Sequence, residues 1–326
     1  MEYLRQPVIE SETKQDGQTE TLPMVSIVLA TYKGEAYLLQ QLESLFNQSY
    51  SNIEIIAIDD ASNDNTLTIL QEHAARHRNM KVFVNEANLG FIKTFDKGCS
   101  LASGEFIAPC DQDDYWDPGK VEKSVMNIGN ASMIYCDSFI CDENLNKKDK
   151  KISDKVNCFN FISCLQLCVY CRIYGHATLF SKELYKKATP FILDIPHDWW
   201  LCYIATIMGE IKYLNEPLVY YRQHSSNAIG VVGEKRRKSH KLNKEKGRKQ
   251  NIRNRVKAFY EICPAHLTKE RTILYKLVRC YENFSLINNI KRGFLFFEYF
   301  KYFLAPKKKS LFMQYLFCFK MFVKIK

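Results

Sequence analysis

No run of the 326-residue chain is apolar for the roughly 18 to 20 residues that a bilayer-spanning helix needs, so no transmembrane segment is expected. The opening MEYLRQPVIESETKQDGQTE is polar and acidic and lacks the apolar stretch of a secretory signal. The 12 cysteines are scattered and form no secretory-style disulfide framework. Together these features lead us to expect reduced thiols in a cytoplasmic protein. No internal repeat is visible. The turn after the first candidate strand, ATYKGEAY, holds one glycine, which excludes the G-x-G-x-x-G dinucleotide fingerprint, and the Walker pattern is also missing.

What is present is ordinary globular composition, 46% hydrophobic and 25% charged, enough for a sizeable core. The net charge of +10 is concentrated in one place. Residues 234–257 carry 12 Lys/Arg against 2 Glu, and the rest of the chain is balanced. Such a run suits phosphates on a nucleic acid, an anionic lipid or a pyrophosphate-bearing substrate, or is simply a solvated helix. Its basic residues come without interleaved aromatics, which argues against base stacking, and no nucleic-acid partner is expected.

Residues 1–23 read as disordered. Four buried-strand patterns follow (MVSIVLATY, IEIIAIDD, KVFVN, GEFIAPC), separated by helical ones (GEAYLLQQLESLFNQ, NTLTILQEHAARH, GFIKTFDKGCSLA), with Asn63 or Asp64 as a cap for the second helix. This alternation predicts an α/β fold with a mostly parallel sheet and helices on both faces. Beyond residue 120 the pattern is mixed. ASMIYCDSFIC reads as a strand, GHATLFSKEL as a strand entering a helix, DWWLCYIATIMG as a helix, and IKYLNEPLVYYRQH as a strand pair or loop. Cys164, Cys168 and Cys171 have a spacing that imitates an iron–sulfur triad, but it also places them on one face of an apolar helix, where cysteine acts as a small hydrophobe.

Ligands of doubly wound sheets bind at the carboxyl ends of the strands. Asp59 and Asp60 end the second strand and Asp111 and Asp113 end the fourth, so both acidic groups are expected to face one crevice. A diphosphate bound without a glycine-rich loop must be neutralised in another way, and an Asp-x-Asp pair holding Mg²⁺ or Mn²⁺ would do this. Asp114 is read as a local cap or pair and left out of the metal set.

The segments VSIVLATYKGEAYLLQQLESLFNQSY, IEIIAIDDASNDNT, NLGF, GEFIAPCDQDDYWDPGKVE and HDWWLCYIATIMGEIKYLNEPLVYYRQHSSN resemble family 2 glycosyltransferases of the GT-A fold. Within that family they resemble the non-processive, rhamnosyltransferase-like enzymes of bacterial surface polysaccharide (capsule or O-antigen) synthesis. The likeness covers residues 24–230 and leaves 231–326 as a basic, aromatic, helical C-terminal region. The resemblance implies donor contacts at Thr31, Tyr32 and Glu35, a nucleobase contact at Asp60, and ribose and metal-bound water at Asp111. It further implies the metal on Asp113 and a metal or diphosphate contact at His224. Asp198 falls at the catalytic-base position. Arg222 is a further diphosphate candidate, and Trp199 and Trp200 can serve as a sugar platform or as core. Where the family often has Arg-Asn in its third helix this chain has Phe95 and Asp96, and Lys93 is read as supplying the positive contact instead.

The expected activity is inverting, metal-dependent transfer of one sugar from a UDP- or dTDP-sugar to a lipid-linked saccharide precursor. Alternatives that use the same acids are a nucleotidyltransferase or another metal-dependent nucleotide-sugar enzyme; the basic run would also suit a non-enzymatic anion binder. Residues 293–326 mix Phe, Tyr and Leu with lysines. This suits peripheral contact with an anionic membrane at the inner face of the cell membrane, or packing against the catalytic domain as a helical subdomain.

Overall fold

The structure is a computed structural model that describes residues 22–224 and 241–323. The N-terminal segment expected to be disordered lies almost wholly outside the described residues, as does the first part of the basic run. The first half of the fold is β1 (Val25–Thr31), α1 (Leu38–Phe46), β2 (Ile53–Asp59), α2 (Thr66–Arg76), β3 (Met80–Val84), α3 (Phe91–Leu101) and β4 (Phe106–Asp111). It continues with β5 (Tyr115–Trp116), α4 (Lys120–Ile128), β6 (Met133–Cys141), β7 (Lys147–Lys151), β8 (Thr178–Ser181) and α5 (Lys182–Ala188). Last come α6 (His197–Met208), β9 (Ile211–Arg222), α7 (Lys241–Ile262), α8 (Thr268–Tyr281), α9 (Leu286–Phe303) and α10 (Leu311–Val323).

The strands form one sheet in the order β3-β2-β1-β4-β8-β6-β9-β5, with β7 on β6. β1 to β4 pair in parallel, as do β6 and β9, and β8 joins the two parallel groups by antiparallel pairing. Alternation along the strands feeds both faces. Val25, Ile27 and Leu29 pack with Leu38, Leu42 and Leu45 of α1 on one side, while Val28, Ile56 and Ile58 pack with Phe95 and Cys99 of α3 on the other. A sheet covered on both sides needs strands that are apolar throughout, which is why they read as continuous runs.

Three local expectations change. Residues 211–222 form a single strand, β9, which pairs along the whole of β6 through irregularities at Cys136–Ser138. The cysteine segment is not an α-helix: Cys164–Gln166 makes one 3₁₀ turn, closed by Ser163 and Gln166, and the chain then runs irregularly. Cys164 and Cys168 are buried in the core, so they do act as small hydrophobes. The N-cap of α2 is Asn65; its backbone and side-chain amides both donate to Glu35 Oε2 at 2.9 Å, while Asp64 Oδ1 accepts from Thr66 N.

The C-terminal helices share a core with the sheet. Phe259 of α7 stacks on Tyr203 of α6 at 3.8 Å between ring centres, and its carbonyl accepts from the Tyr203 hydroxyl. The same apolar cluster runs from Val28 through Trp200 and Phe259 to Cys318.

Candidate active site

The parallel register sets Thr31 beside Asp59 and Ala30 beside Asp111, so three strand ends open on one edge. Asp59 is buried and accepts from Thr31 Oγ1 and from Ser62 N and Oγ, which makes it a turn anchor. Asp60 accepts from Asn85 Nδ2 and from the Leu89 and Gly90 amides, tying β2 to the start of α3. Tyr32 is 41% exposed on this edge, and the Gln112 side chain clamps its backbone by accepting from Tyr32 N and donating to Tyr32 O. A Cβ on Gly34 would lie 2.3 Å from Gln112 Oε1, so a larger residue there would have to displace the clamp. Glu35 is engaged in capping α2, and Lys93 is exposed on α3.

The acidic knot divides in two. Antiparallel pairing places Phe106 opposite Ser181 and Ile107 opposite Phe180, and continuing that register carries the end of β4, Asp111, to His176, just before β8. There, His176 Nδ1 lies 3.7 Å from Asp111 Oδ2 and 3.2 Å from Asp114 Oδ2, and one ligand atom from each of the three residues falls within 4.8 Å of the others. Asp114 and His176 are buried and Asp111 is half-buried. Asp114 Oδ2 has no hydrogen bond, although it lies inside the fold. Burial pushes Asp114 well above the usual carboxylate range. Burial alone would pull the His176 imidazole down, but the two carboxylates overcome this and hold it above its ordinary value. A buried carboxylate oxygen without a donor, beside a second carboxylate and an imidazole, is a donor set that fits a divalent cation, and oxygen with one nitrogen suits Mn²⁺ as well as Mg²⁺.

Asp113 belongs to the other half. Its Oδ2 lies 2.8 Å from His224 Nε2, and the His224 ring packs 4.6 Å from Tyr37. Arg222 is buried behind the pair; it donates to Asp113 O, Glu143 O and Gln40 Oε1, so its guanidinium serves the protein itself. Its backbone N–H reaches Asp114 Oδ1 at 3.1 Å, as the pairing of Tyr115 with Tyr220 dictates.

Asp198 stands in the first turn of α6, where its Oδ1 accepts from Trp199 N at 2.7 Å. Burial raises its pKa, while neighbouring His197 and the local amide lower it. A Cβ on Gly175 would touch His197 Nε2 at 3.1 Å and Asp198 Cβ at 3.6 Å, so the turn that carries His176 is pressed against the start of α6. Asp198 therefore lies near the Asp111–Asp114–His176 group, and Asp111 adds to the rise in its pKa. The two tryptophans point elsewhere. Trp200 is 4% exposed and donates to Ala188 O, and Trp199 donates to Leu167 O under the guanidinium of Arg255. Trp200 is a packing residue, and Trp199 is partly buried with Arg255 over its ring. Asp96 takes no part in the crevice and latches the segment after α5 by accepting from Tyr185, Thr189 and Phe191.

The sequence did not point to His176 or Gln112, and Asp114, read from it as a local cap or pair outside the metal set, instead joins Asp111 and His176. His176 is an isolated histidine before a short strand and carries no periodic signal; only the β4–β8 register reveals it.

The sequence profile described as "Glycosyl transferase family 2" matches residues 26–188. A Haemophilus influenzae protein described as an uncharacterized glycosyltransferase is 27% identical over 223 residues, 65% of this chain and 69% of that one. Escherichia coli chondroitin synthase is 30% identical over 217 residues, 66% of this chain but 30% of the larger enzyme. Among solved structures, S. aureus TarS 1–349 superposes with a TM-score of 0.56 at 16% identity, covering 93% of this chain and 80% of that one, and it has also been solved in complex with UDP-GlcNAc. These likenesses agree with the sheet, the strand-end acids and the helical extension, which together are GT-A-like, and the chain belongs to glycosyl transferase family 2.

Proposed function

We propose that this transferase moves one sugar from a nucleoside-diphosphate sugar to a hydroxyl of a lipid-linked saccharide, with inversion, at the inner face of the cell membrane. The observation that carries the reading is the nearness of Asp198 to the Asp111–Asp114–His176 group. Those three residues would hold Mg²⁺ or Mn²⁺, which when bound supplies positive charge to the departing diphosphate. The Asp113–His224 pair would contact the diphosphate, and Thr31 and Tyr32 would contact the donor nucleoside. Asp198 takes the proton of the acceptor hydroxyl, whose oxygen forms the new bond to the anomeric carbon. The bond from that carbon to the diphosphate breaks with its electron pair, and the nucleoside diphosphate leaves. A partly desolvated carboxylate is a better base for this than an exposed one.

UDP-linked hexosamine is the first donor to test, since the structural neighbour S. aureus TarS 1–349 has been solved in complex with UDP-GlcNAc. dTDP-rhamnose tests the finer subgroup resemblance. The experiment is a donor screen that follows nucleoside diphosphate release with a mixed acceptor extract, with and without EDTA. Release that depends on acceptor and metal supports the reading; release from no UDP- or dTDP-sugar would overturn it.

A further inference from the structure

We propose that the outer face of the α9–α10 hairpin docks on a bilayer containing anionic phospholipid; this rests on the membrane-linked acceptor reading above and identifies the surface that would serve it. A helix on a soluble domain normally turns its apolar stripe inward. α9 does so with Leu295, Phe296 and Phe303, all at most 5% exposed. It also bears a second stripe outward: Leu286, Ile290 and Phe294, spaced four apart, are 60%, 39% and 65% exposed. α10 repeats the pattern with Phe312, Leu316 and Phe319, which are 70%, 38% and 57% exposed. Phe322 joins the two stripes, with ring centres 5.5 Å from Phe294 and 6.1 Å from Phe319. Single exposed apolar side chains are ordinary, but an apolar face that runs across two neighbouring helices marks an interaction surface.

Charge selects the partner. Residues 286–323 hold seven Lys/Arg and one Glu. Lys291, Lys301, Lys308, Lys309 and Lys320 are exposed around the apolar face. A groove of about 210 Å³ beside α10 is lined by Lys307, Lys309 and Lys320 with Leu304, Leu316 and Phe317, and no acid lines it. Lys307 is held in place over the rings of Tyr170 and Phe317, at 3.7 and 3.8 Å. Apolar walls with a lysine rim match a phospholipid, with its chains on the aromatics and its phosphate at the ammonium groups. A second copy of the chain fits worse, because an isologous contact would press two strongly basic faces together. No described helix is long and apolar enough to cross a membrane, so the hairpin would lie along the surface.

The test is sedimentation of the full chain with vesicles of phosphatidylcholine alone or with about 30% phosphatidylglycerol. Binding to the anionic vesicles should be at least about tenfold stronger and should weaken in high salt. Phe312→Ser with Phe319→Ser, both exposed and so tolerated by the fold, should abolish binding; Lys309→Glu with Lys320→Glu should remove the preference for phosphatidylglycerol. Failure to bind anionic vesicles, equal binding to both compositions, or binding indifferent to both variant pairs would overturn the proposal. A dimer broken by the Phe312/Phe319 pair without vesicle binding would assign the face to a second copy and also overturn it. Vesicle binding by a chain that releases no nucleoside diphosphate would sink the transferase reading and leave the docking surface standing.

Discussion

The guanidinium of Arg255 lies 4.0 Å from the centre of the Trp199 ring, and this contact fastens α7 to the residue next to Asp198. Burial lowers the pKa of Arg255, and its Nε has no hydrogen-bond partner, so the stack on tryptophan is what recommends the site. Arg255→Ala should lower unfolding free energy by about 1–2 kcal/mol in urea titrations. It should reduce acceptor-dependent turnover more than donor binding. Arg255→Lys should not restore the wild type, since an ammonium lacks the planar stacking surface.

Asp198→Asn keeps the shape and the hydrogen bond from Trp199 N while removing the proposed base. Sugar transfer should slow by a factor of about 10² to 10⁴ with nucleoside diphosphate binding unchanged. The pH–rate profile of the wild type should show an acid limb above the ordinary aspartate range, because burial raises this carboxyl. Stability has the opposite sign. With a raised folded-state pKa, the favourable protonated form is fully present below the unfolded value and is lost as pH rises through the folded value. Asp198→Asn should therefore match or exceed the wild-type melting temperature at neutral pH, and any advantage should disappear in acid. A clear drop in melting temperature at neutral pH would instead indicate a helix-cap role.

The two acidic half-sites can be separated by metal titration. His176→Gln and Asp114→Asn should each weaken Mn²⁺ binding by at least about tenfold in calorimetry. His224→Gln should affect the donor KM more than metal affinity. EDTA should abolish turnover and Mn²⁺ should restore it. Undiminished Mn²⁺ affinity in the His176 variant, with loss in the His224 variant, would shift the centre to Asp113.

Lys120 is buried with its ammonium 3.3 Å from the centre of the Trp116 ring, and burial pulls its pKa down to about 8. Such a depression corresponds to roughly 3 kcal/mol against the charged form, offset in part by the ring. Lys120→Met should raise unfolding free energy by about 1–2 kcal/mol at pH 7. The unfolded chain holds its lysine proton to higher pH than the fold does, so wild-type stability rises through that window and the gain from Met shrinks. Urea midpoints at neutral and alkaline pH measure it.

The parallel half of the fold was legible because its signals are local. Two-sided burial writes continuous apolar runs from Val25 and Ile53, and the helices between them repeat at helical spacing. Asp111 was legible as a candidate because it ends a strand, and Asp198 because the motif resemblance points to it. His176 and Asp114 were not, because their meeting depends on how β8 returns beside β4, a pairing between residues about 70 positions apart. The tryptophans show the complementary gap. An aromatic pair after an acid reads equally well as a platform or as packing, and the contacts that Phe259 and Arg255 bring from α7 are not visible in its local sequence.

A core shared between Val28 and Cys318 also has consequences during biosynthesis. The strands that hold the acids leave the ribosome first, yet the surface of α6 that bears Trp200 and Tyr203 stays bare until α7 emerges, and Phe296 stays bare until Cys318 follows. A nascent chain halted after β9 carries the strand-end acids and Asp198 with apolar residues facing water. Chaperones will meet that surface on every molecule made, and messages cut short in their last third should yield aggregates or protease substrates instead of a smaller working enzyme.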